Sequence, residues 1–272
     1  MKKYRLAAVD MDGTLLNTAH VTSEGTRAAI EQVSRAGGIV ALASGRAMSE
    51  LVDHLAVNPS IHYVISANGS TVRDLNGNRI LYSALIGRDT AEQVLAVAAK
   101  YDCIRQLFLD GQSYIDVAWE DSLEPYHMEY FRSVWKTGAV WNRDLIGFYR
   151  AGGFLPEKMN LYFAGEEEKA ACWEELEKLP VALADSIAVG IEITHPEATK
   201  DRGLLQLCEA LGISIEDAVA IGDGGNDADM LRAAGLSVAM KNASPNILAI
   251  ADAVTDDNDH DGAAKAMLKY LL

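Results

Sequence analysis

Positive charge is scarce in this chain. Its 272 residues hold 24 lysines and arginines against 39 aspartates and glutamates, a formal net charge of −15. Nucleic acids and anionic membranes are bound by basic faces, so neither is expected as a partner. A small phosphorylated metabolite is not excluded, because one local lysine and a metal ion suffice to hold it. Cysteine is scarce as well: Cys103, Cys172 and Cys208 show neither paired nor metal-type spacing. They read as core fillers of a cytoplasmic protein kept in a reducing environment. No stretch reaches the ~20 apolar residues of a membrane span. The apolar run near the amino terminus is broken by Asp10, so no signal peptide is read there. Internal repeats, low-complexity segments, a dinucleotide fingerprint and a Walker-type lysine motif are all missing. What is present is 49% hydrophobic residues and a mean hydropathy near zero, the profile of a globular chain of one or two domains. Nothing in the sequence marks an oligomeric state.

One stretch organises the rest. The apolar run 6–9 stops at Asp10 and Asp12, with Gly13 and Thr14 following. Such a run, bounded by turn residues, predicts a buried parallel strand. In open α/β sheets, ligands bind beyond the carboxyl ends of such strands. Two carboxylates placed there repel each other and lose hydration, which a hard cation relieves. Taken alone, the same residues also fit an ordinary strand-ending turn.

Residues 22–36 predict a helix capped by Thr22 or Ser23 and stopped at Gly37-Gly38. Buried strands are read at 39–43 and 63–66, closing with Ser44-Gly45-Arg46 and Asn68-Gly69-Ser70. A hairpin over 71–82 turns at Asn76-Gly77. Strands alternating with helices are the doubly wound pattern. Near residue 84 that pattern breaks. There follow a helix at 88–101, strands at 104–109 and 113–117, and an aromatic-rich stretch over 119–149. A strand at 158–163, a helix at 166–179 and strands at 181–184 and 188–194 complete an α+β block that holds all four tryptophans. The first pattern resumes with a helix from Lys200 and a buried strand at 218–221 running into Gly222-Asp223-Gly224-Gly225-Asn226-Asp227. The expected architecture is α/β: a doubly wound, mostly parallel core sheet from 1–83 and 189–272, with an inserted α+β domain over 84–188.

Four polar clusters then gather at the ends of one sheet: Asp10/Asp12, Ser44-Gly45-Arg46, Lys200 and Asp223/Asn226/Asp227. This inventory suits Mg²⁺-assisted phosphoryl transfer through an aspartyl phosphate. Asp10 attacks phosphorus; Asp12, one pleat away, protonates the leaving oxygen and later activates water. Asp10, Asp223 and the Asp12 carbonyl can supply oxygen ligands to Mg²⁺. The Ser44 hydroxyl and the adjacent amides of Gly45 and Arg46 can hold phosphate oxygens, and Lys200 can neutralise them. A carboxylate about 4 Å from one negative charge meets roughly 4 kcal/mol of repulsion at an effective dielectric of 20, and a dianion about doubles it. A divalent ion plus Lys200 reverses that sign.

Asp10-Met-Asp-Gly-Thr-Leu-Leu, Ala-Ser44-Gly-Arg, Lys200 and Gly-Asp223-Gly-Gly-Asn-Asp227 resemble the four motifs of the haloacid dehalogenase superfamily. Asn68-Gly69 and the tail, Val238-Ala-Met-Lys-Asn242-Ala and Val254-Thr-Asp-Asp-Asn258 with Gly262 after it, resemble its Cof-type phosphatases with a type IIB cap. The resemblance implies a Rossmann-like core and a Mg²⁺-dependent phosphomonoesterase for small organophosphates, sugar phosphates first. It implies Asp10 as nucleophile, Asp12 as acid and base, and Ser44 and Lys200 as phosphate holders. It makes Asp10, Asp12 and Asp223 the magnesium ligands. Asp227 would support the metal shell, Asn226 would touch phosphate or nucleophile, and the cap would select the leaving group.

Spacing agrees with that cap class. Asp10 to Ser44 is 34 residues, enough for loop, helix and strand only, whereas Ser44 to Lys200 is 156. Two alternatives stand beside hydrolysis: a phosphotransferase or mutase using the same phosphoenzyme, and a non-catalytic phosphate- or metal-sensing module, against which the intact Asp12 argues. Asp201 departs from the family, where many relatives have glycine; it is expected to face solvent at a helix start, where negative charge is favourable. Asp257-x-Asp259-x-Asp261-Gly262 imitates the start of a calcium loop, but Leu268 stands where a glutamate is required, so an acidic loop capping the last helix is expected. At least one of Trp119, Tyr126, Trp135 and Trp141 is expected to face the site.

Overall fold

The computed structural model describes residues 4–118, 121, 123–185 and 187–272. They divide into two compact units. In the first, β1 (Leu6–Asp10) is buried along its whole length, as a strand covered on both faces must be. Next come α1 (Glu24–Arg35), β2 (Ile39–Ala43), α2 (Val52–Ala56) and β3 (Tyr63–Ser66). The hairpin β4 (Thr71–Asp74) and β5 (Arg79–Ser83) follows. Of the two caps open for α1, the chain uses Ser23, whose Oγ accepts the Thr26 amide at 2.9 Å.

The second unit carries α3 (Arg88–Ala98), β6 (Cys103–Leu109), β7 (Gln112–Ile115), α4 (Arg132–Gly138) and β8 (Ala139–Trp141). After them come α5 (Leu145–Ala151), β9 (Pro156–Phe163), α6 (Glu166–Leu176), β10 (Ala182–Asp185) and β11 (Gly190–Thr194). Its sheet runs β10-β11-β9-β6-β7-β8, antiparallel except for the β7–β8 pair. Central β9 has all eight residues buried. Met159, Leu161 and Phe163 on one face join Val94, Leu95, Tyr149, Cys172 and Leu176 in an apolar core. A smaller cluster gathers Ile104, Ile115, Leu123, Met128, Trp135 and Tyr162.

The chain then returns to the first unit with α7 (Lys200–Leu211), β12 (Ala218–Gly222), α8 (Ala228–Ala233), β13 (Leu236–Ala239), α9 (Pro245–Ile250), β14 (Ala253–Val254) and α10 (Gly262–Leu271). The first sheet runs β14-β13-β12-β1-β2-β3-β4-β5. β1 lies in parallel between β12 and β2, where the winding reverses direction. That switch point, at the carboxyl end of β1, is where doubly wound sheets place their ligands. Among the described residues, no helix is long and apolar enough to cross a membrane.

Three expectations are corrected. The inserted unit does not end at 188: β11 pairs with β9, Thr194 opposite Lys158, so the unit runs from Ala84 to Pro196. It also takes in Ala47–Glu50, where Ser49 donates its amide to Gly111 O at 2.7 Å and its hydroxyl to Gly138 O at 3.1 Å. The acidic loop does not cap α10 with a side chain. Asp261, at φ 57°, turns its carboxylate to the Ser23 and Thr26 hydroxyls and so ties that loop to the start of α1. Asp201 is half-buried rather than solvent-facing, and its Oδ1 is buried with no hydrogen-bond partner among the described residues. Of the singled-out aromatics, Trp135 is core, Tyr126 donates its hydroxyl to Asp102 at 2.8 Å, and Trp141 lies under the Arg143 guanidinium. Trp119 lies outside the described residues.

Candidate active site

Three carboxylates meet beyond the carboxyl ends of β1 and β12. Asp10 closes β1, Asp223 follows β12, and Asp227 precedes α8. Oxygen atoms of the three lie within 4.8 Å of one another. Lys200, the first residue of α7 and only 2% exposed, enters between them. Its Nζ donates to Asp10 Oδ1 at 2.5 Å and to Asp227 Oδ1 at 2.7 Å. The other Asp227 oxygen accepts the amides of Asp223 and Gly224, both at 3.0 Å, which holds the acidic loop in shape. Asp223 is aimed by Thr14, whose Oγ1 donates to its Oδ1 at 2.6 Å. Gly13 makes that approach possible: at φ +81°, a Cβ on it would stand 2.4 Å from Asp223 Oδ2.

The electrostatics follow from burial. Burial pushes the Asp10 carboxyl up to about 8; the Lys200 charge opposes that rise, while Asp227 and Asp223 add to it. Burial also raises Asp223, against the Thr14 hydrogen bond and with the help of Asp227. For Lys200, burial works against the charge, but Asp10 and Asp227 outweigh it and hold the ammonium above the ordinary lysine range. Three carboxylates against one ammonium leave an excess of negative charge in a desolvated place. Hard oxygen donors with uncompensated charge are the set that fits a divalent cation of the magnesium type.

Asp12 stands apart from this group. Its carboxylate is gripped by Arg46, with Nε donating to Oδ2 at 2.9 Å and Nη2 to Oδ1 at 2.6 Å. The guanidinium of Arg46 is thus committed to the Asp12 carboxylate, while the Asp12 carbonyl and the Arg46 amide are the backbone groups expected at metal and phosphate. Ser44 is buried; its Oγ accepts the Arg46 amide at 3.2 Å. Gly45 passes close to Asn68, whose Oδ1 in turn accepts from Asn226 Nδ2 at 3.5 Å.

Sequence reasoning assigned no role to Thr14, Asn68, Asn242 or Asn258. Asn242 Nδ2 donates to Gly13 O at 2.8 Å and Asn258 Nδ2 to Leu16 O at 2.9 Å, so two asparagines from the tail hold the loop that follows β1. Their place in the Cof-type tail was the one available signal.

Comparison with known proteins points the same way. The profile of the haloacid dehalogenase-like hydrolases matches residues 7–267. Phosphatase YwpJ of Bacillus subtilis is 32% identical, the match covering 98% of this chain and 100% of that one. The 5-amino-6-(5-phospho-D-ribitylamino)uracil phosphatase YcsE of the same organism is 28% identical, over 98% of this chain and 96% of its own. A solved haloacid dehalogenase-like hydrolase from B. subtilis superimposes with a TM-score of 0.82 at 28% identity, covering 98% of this chain and 100% of that chain. With the profile spanning nearly the whole chain and a phosphatase relative aligned end to end, the chain belongs to the haloacid dehalogenase-like hydrolases, in their Cof-type branch, and is a phosphatase of that family.

Proposed function

We propose that this phosphatase hydrolyses small phosphomonoesters, sugar phosphates foremost, with Mg²⁺ as cofactor and an aspartyl phosphate on Asp10 as intermediate. The observation that carries the reading is the buried bridge from Lys200 to Asp10 and Asp227, with Asp223 beside it. Such a site is costly for stability and suited to a phosphoryl group with its counter-ion. Asp10 and Asp223 would hold Mg²⁺ with support from Asp227, and the ion when bound supplies neutralisation of phosphoryl charge.

In the first half-reaction an Asp10 oxygen forms a bond to phosphorus while the bond from phosphorus to the ester oxygen breaks. The ester oxygen leaves with the electron pair and takes the proton of the Asp12 carboxyl. In the second, water attacks phosphorus and gives a proton to the Asp12 carboxylate. The bond from phosphorus to Asp10 then breaks, releasing inorganic phosphate. Ser44 and the Gly45 and Arg46 amides hold non-bridging oxygens, and Lys200 neutralises them.

One observation supports the sugar-phosphate preference: the relative YcsE is named for a phosphorylated ribityl compound. The deciding experiment is Asp10→Asn assayed on p-nitrophenyl phosphate with Mg²⁺. Turnover is expected to vanish; turnover at the wild-type rate would remove Asp10 as nucleophile.

A further inference from the structure

We propose that the guanidinium of Arg46 positions the acid–base carboxylate rather than holding phosphate. The inference rests on the reading of Asp12 as the proton donor and acceptor of the reaction above. Both Asp12 oxygens are occupied by one guanidinium, at 2.9 and 2.6 Å, a two-pronged geometry that fixes direction as well as distance. The arginine is anchored from behind. Its amide donates to Ser44 Oγ at 3.2 Å, and its carbonyl accepts the Ala67 amide at 2.8 Å.

A magnitude separates two uses of such a pair. The Asp12 side chain is 49% exposed and that of Arg46 29%. Ion pairs this open contribute about 0–1 kcal/mol to stability. Fold stability is therefore not what the fork supplies. Orientation is: a misplacement of about 1 Å in a reacting group costs on the order of a hundredfold in rate. Asp12 follows β1 in a turn, and the hydrogen bonds that reach its carboxylate from Arg46 give it its aim from the loop that carries Ser44. The motif after β2 then does two jobs. In the reading above its Ser44 hydroxyl serves the phosphate, and its arginine sets the group that serves the leaving oxygen.

The two roles predict different kinetics. An aryl leaving group departs without a proton, whereas an alkyl one needs it. Arg46→Gln and Arg46→Lys are to be compared with wild type on p-nitrophenyl phosphate and on glycerol 2-phosphate, with inorganic phosphate as competitive inhibitor. For both variants kcat on glycerol 2-phosphate is expected to fall about 30- to 100-fold. On the aryl ester the single-turnover release of p-nitrophenol, which reports bond breaking to the leaving group and not the later attack of water, slows less than about threefold, and inhibition by phosphate is unchanged. In an Asp12→Ala background either Arg46 variant is expected to cost nothing further, since it acts only through that carboxylate. Equal losses on both esters with weakened phosphate inhibition would make Arg46 a phosphate holder and overturn the proposal. So would full additivity with Asp12→Ala. Either variant alone suffices if the other does not fold, as judged by circular dichroism. Failure of the underlying reading shows separately, as Asp10→Asn turning over at the wild-type rate.

Discussion

Gly69 and the carbonyl of Thr199 approach so closely that a Cβ on Gly69 would sit 2.1 Å from the Thr199 oxygen. Gly69 also holds φ +101°, a conformation open to glycine and strained for other residues. Thr199 is the residue from which α7 starts, and Lys200 is the first residue of that helix. The contact thus sets where the site's ammonium begins. Gly69→Ala should displace the start of α7, with a stability loss of about 1–3 kcal/mol. It should also lower kcat/KM by more than that loss of folded protein explains. Urea unfolding and kinetics on the same preparation check both.

Lys200→Met should be among the most damaging single changes in the first unit. It leaves Asp10 and Asp227 buried without their cation, and breaking a buried pair in this way costs about 3–5 kcal/mol. A divalent ion at the three carboxylates offsets part of the repulsion. Millimolar Mg²⁺ is therefore expected to raise the unfolding midpoint of the variant more than that of wild type. Equal shifts would show that the ion does not share the lysine's partners.

Thr14→Val keeps the shape of the side chain and removes the 2.6 Å hydrogen bond to Asp223. A carboxylate that loses its orienting donor typically binds its metal 10- to 100-fold more weakly. The Mg²⁺ concentration for half-maximal activity should rise by about that factor, with kcat at saturating Mg²⁺ within about threefold of wild type. An unchanged requirement would place Asp223 outside the metal's ligands.

Asp252 reports on acid stability at the far edge of the first sheet. Its carboxylate accepts the Ser237 amide at 2.9 Å and the Ser237 hydroxyl at 2.7 Å, and these bonds hold its pKa below the usual carboxylate value. A carboxyl depressed in the folded state stabilises above its unfolded pKa and loses that contribution as pH falls through the folded value. The urea midpoint of Asp252→Asn should therefore lie below that of wild type at about pH 6, and the gap should close below about pH 4. Because Asp252 is exposed, the gap corresponds to less than about 1 kcal/mol.

Much of the first unit was legible along the chain. Runs such as 6–9, 39–43 and 218–221 end at turn residues, and β1, β2 and β12 lie there, buried and parallel. The stretch 119–149 was less legible: α4, β8 and α5 are short, and their periodicity is lost among aromatics. The strand at 188–194 was legible as part of the inserted block, but the block's boundary was set at 188; the pairing of β11 with β9 along its whole length carries the unit on to Pro196. Asp201 was misjudged because a helix start is favourable for a carboxylate only on the side that faces water.

Local pattern decided which residues could be strands, where turns carried carboxylates, and that Asp10, Asp223 and Lys200 were available for phosphate chemistry. These features depend on burial and side-chain alternation over a few neighbours, so they are written in short stretches of chain. The choice of partner for each charge was decided only by the tertiary structure. Asp10 and Asp12 are two residues apart, yet one pairs with Lys200, 190 positions away, and the other with Arg46. Electrostatic attraction depends on distance in space. Only the packing of α7 and of the loop after β2 around the end of β1 could assign each carboxylate its cation.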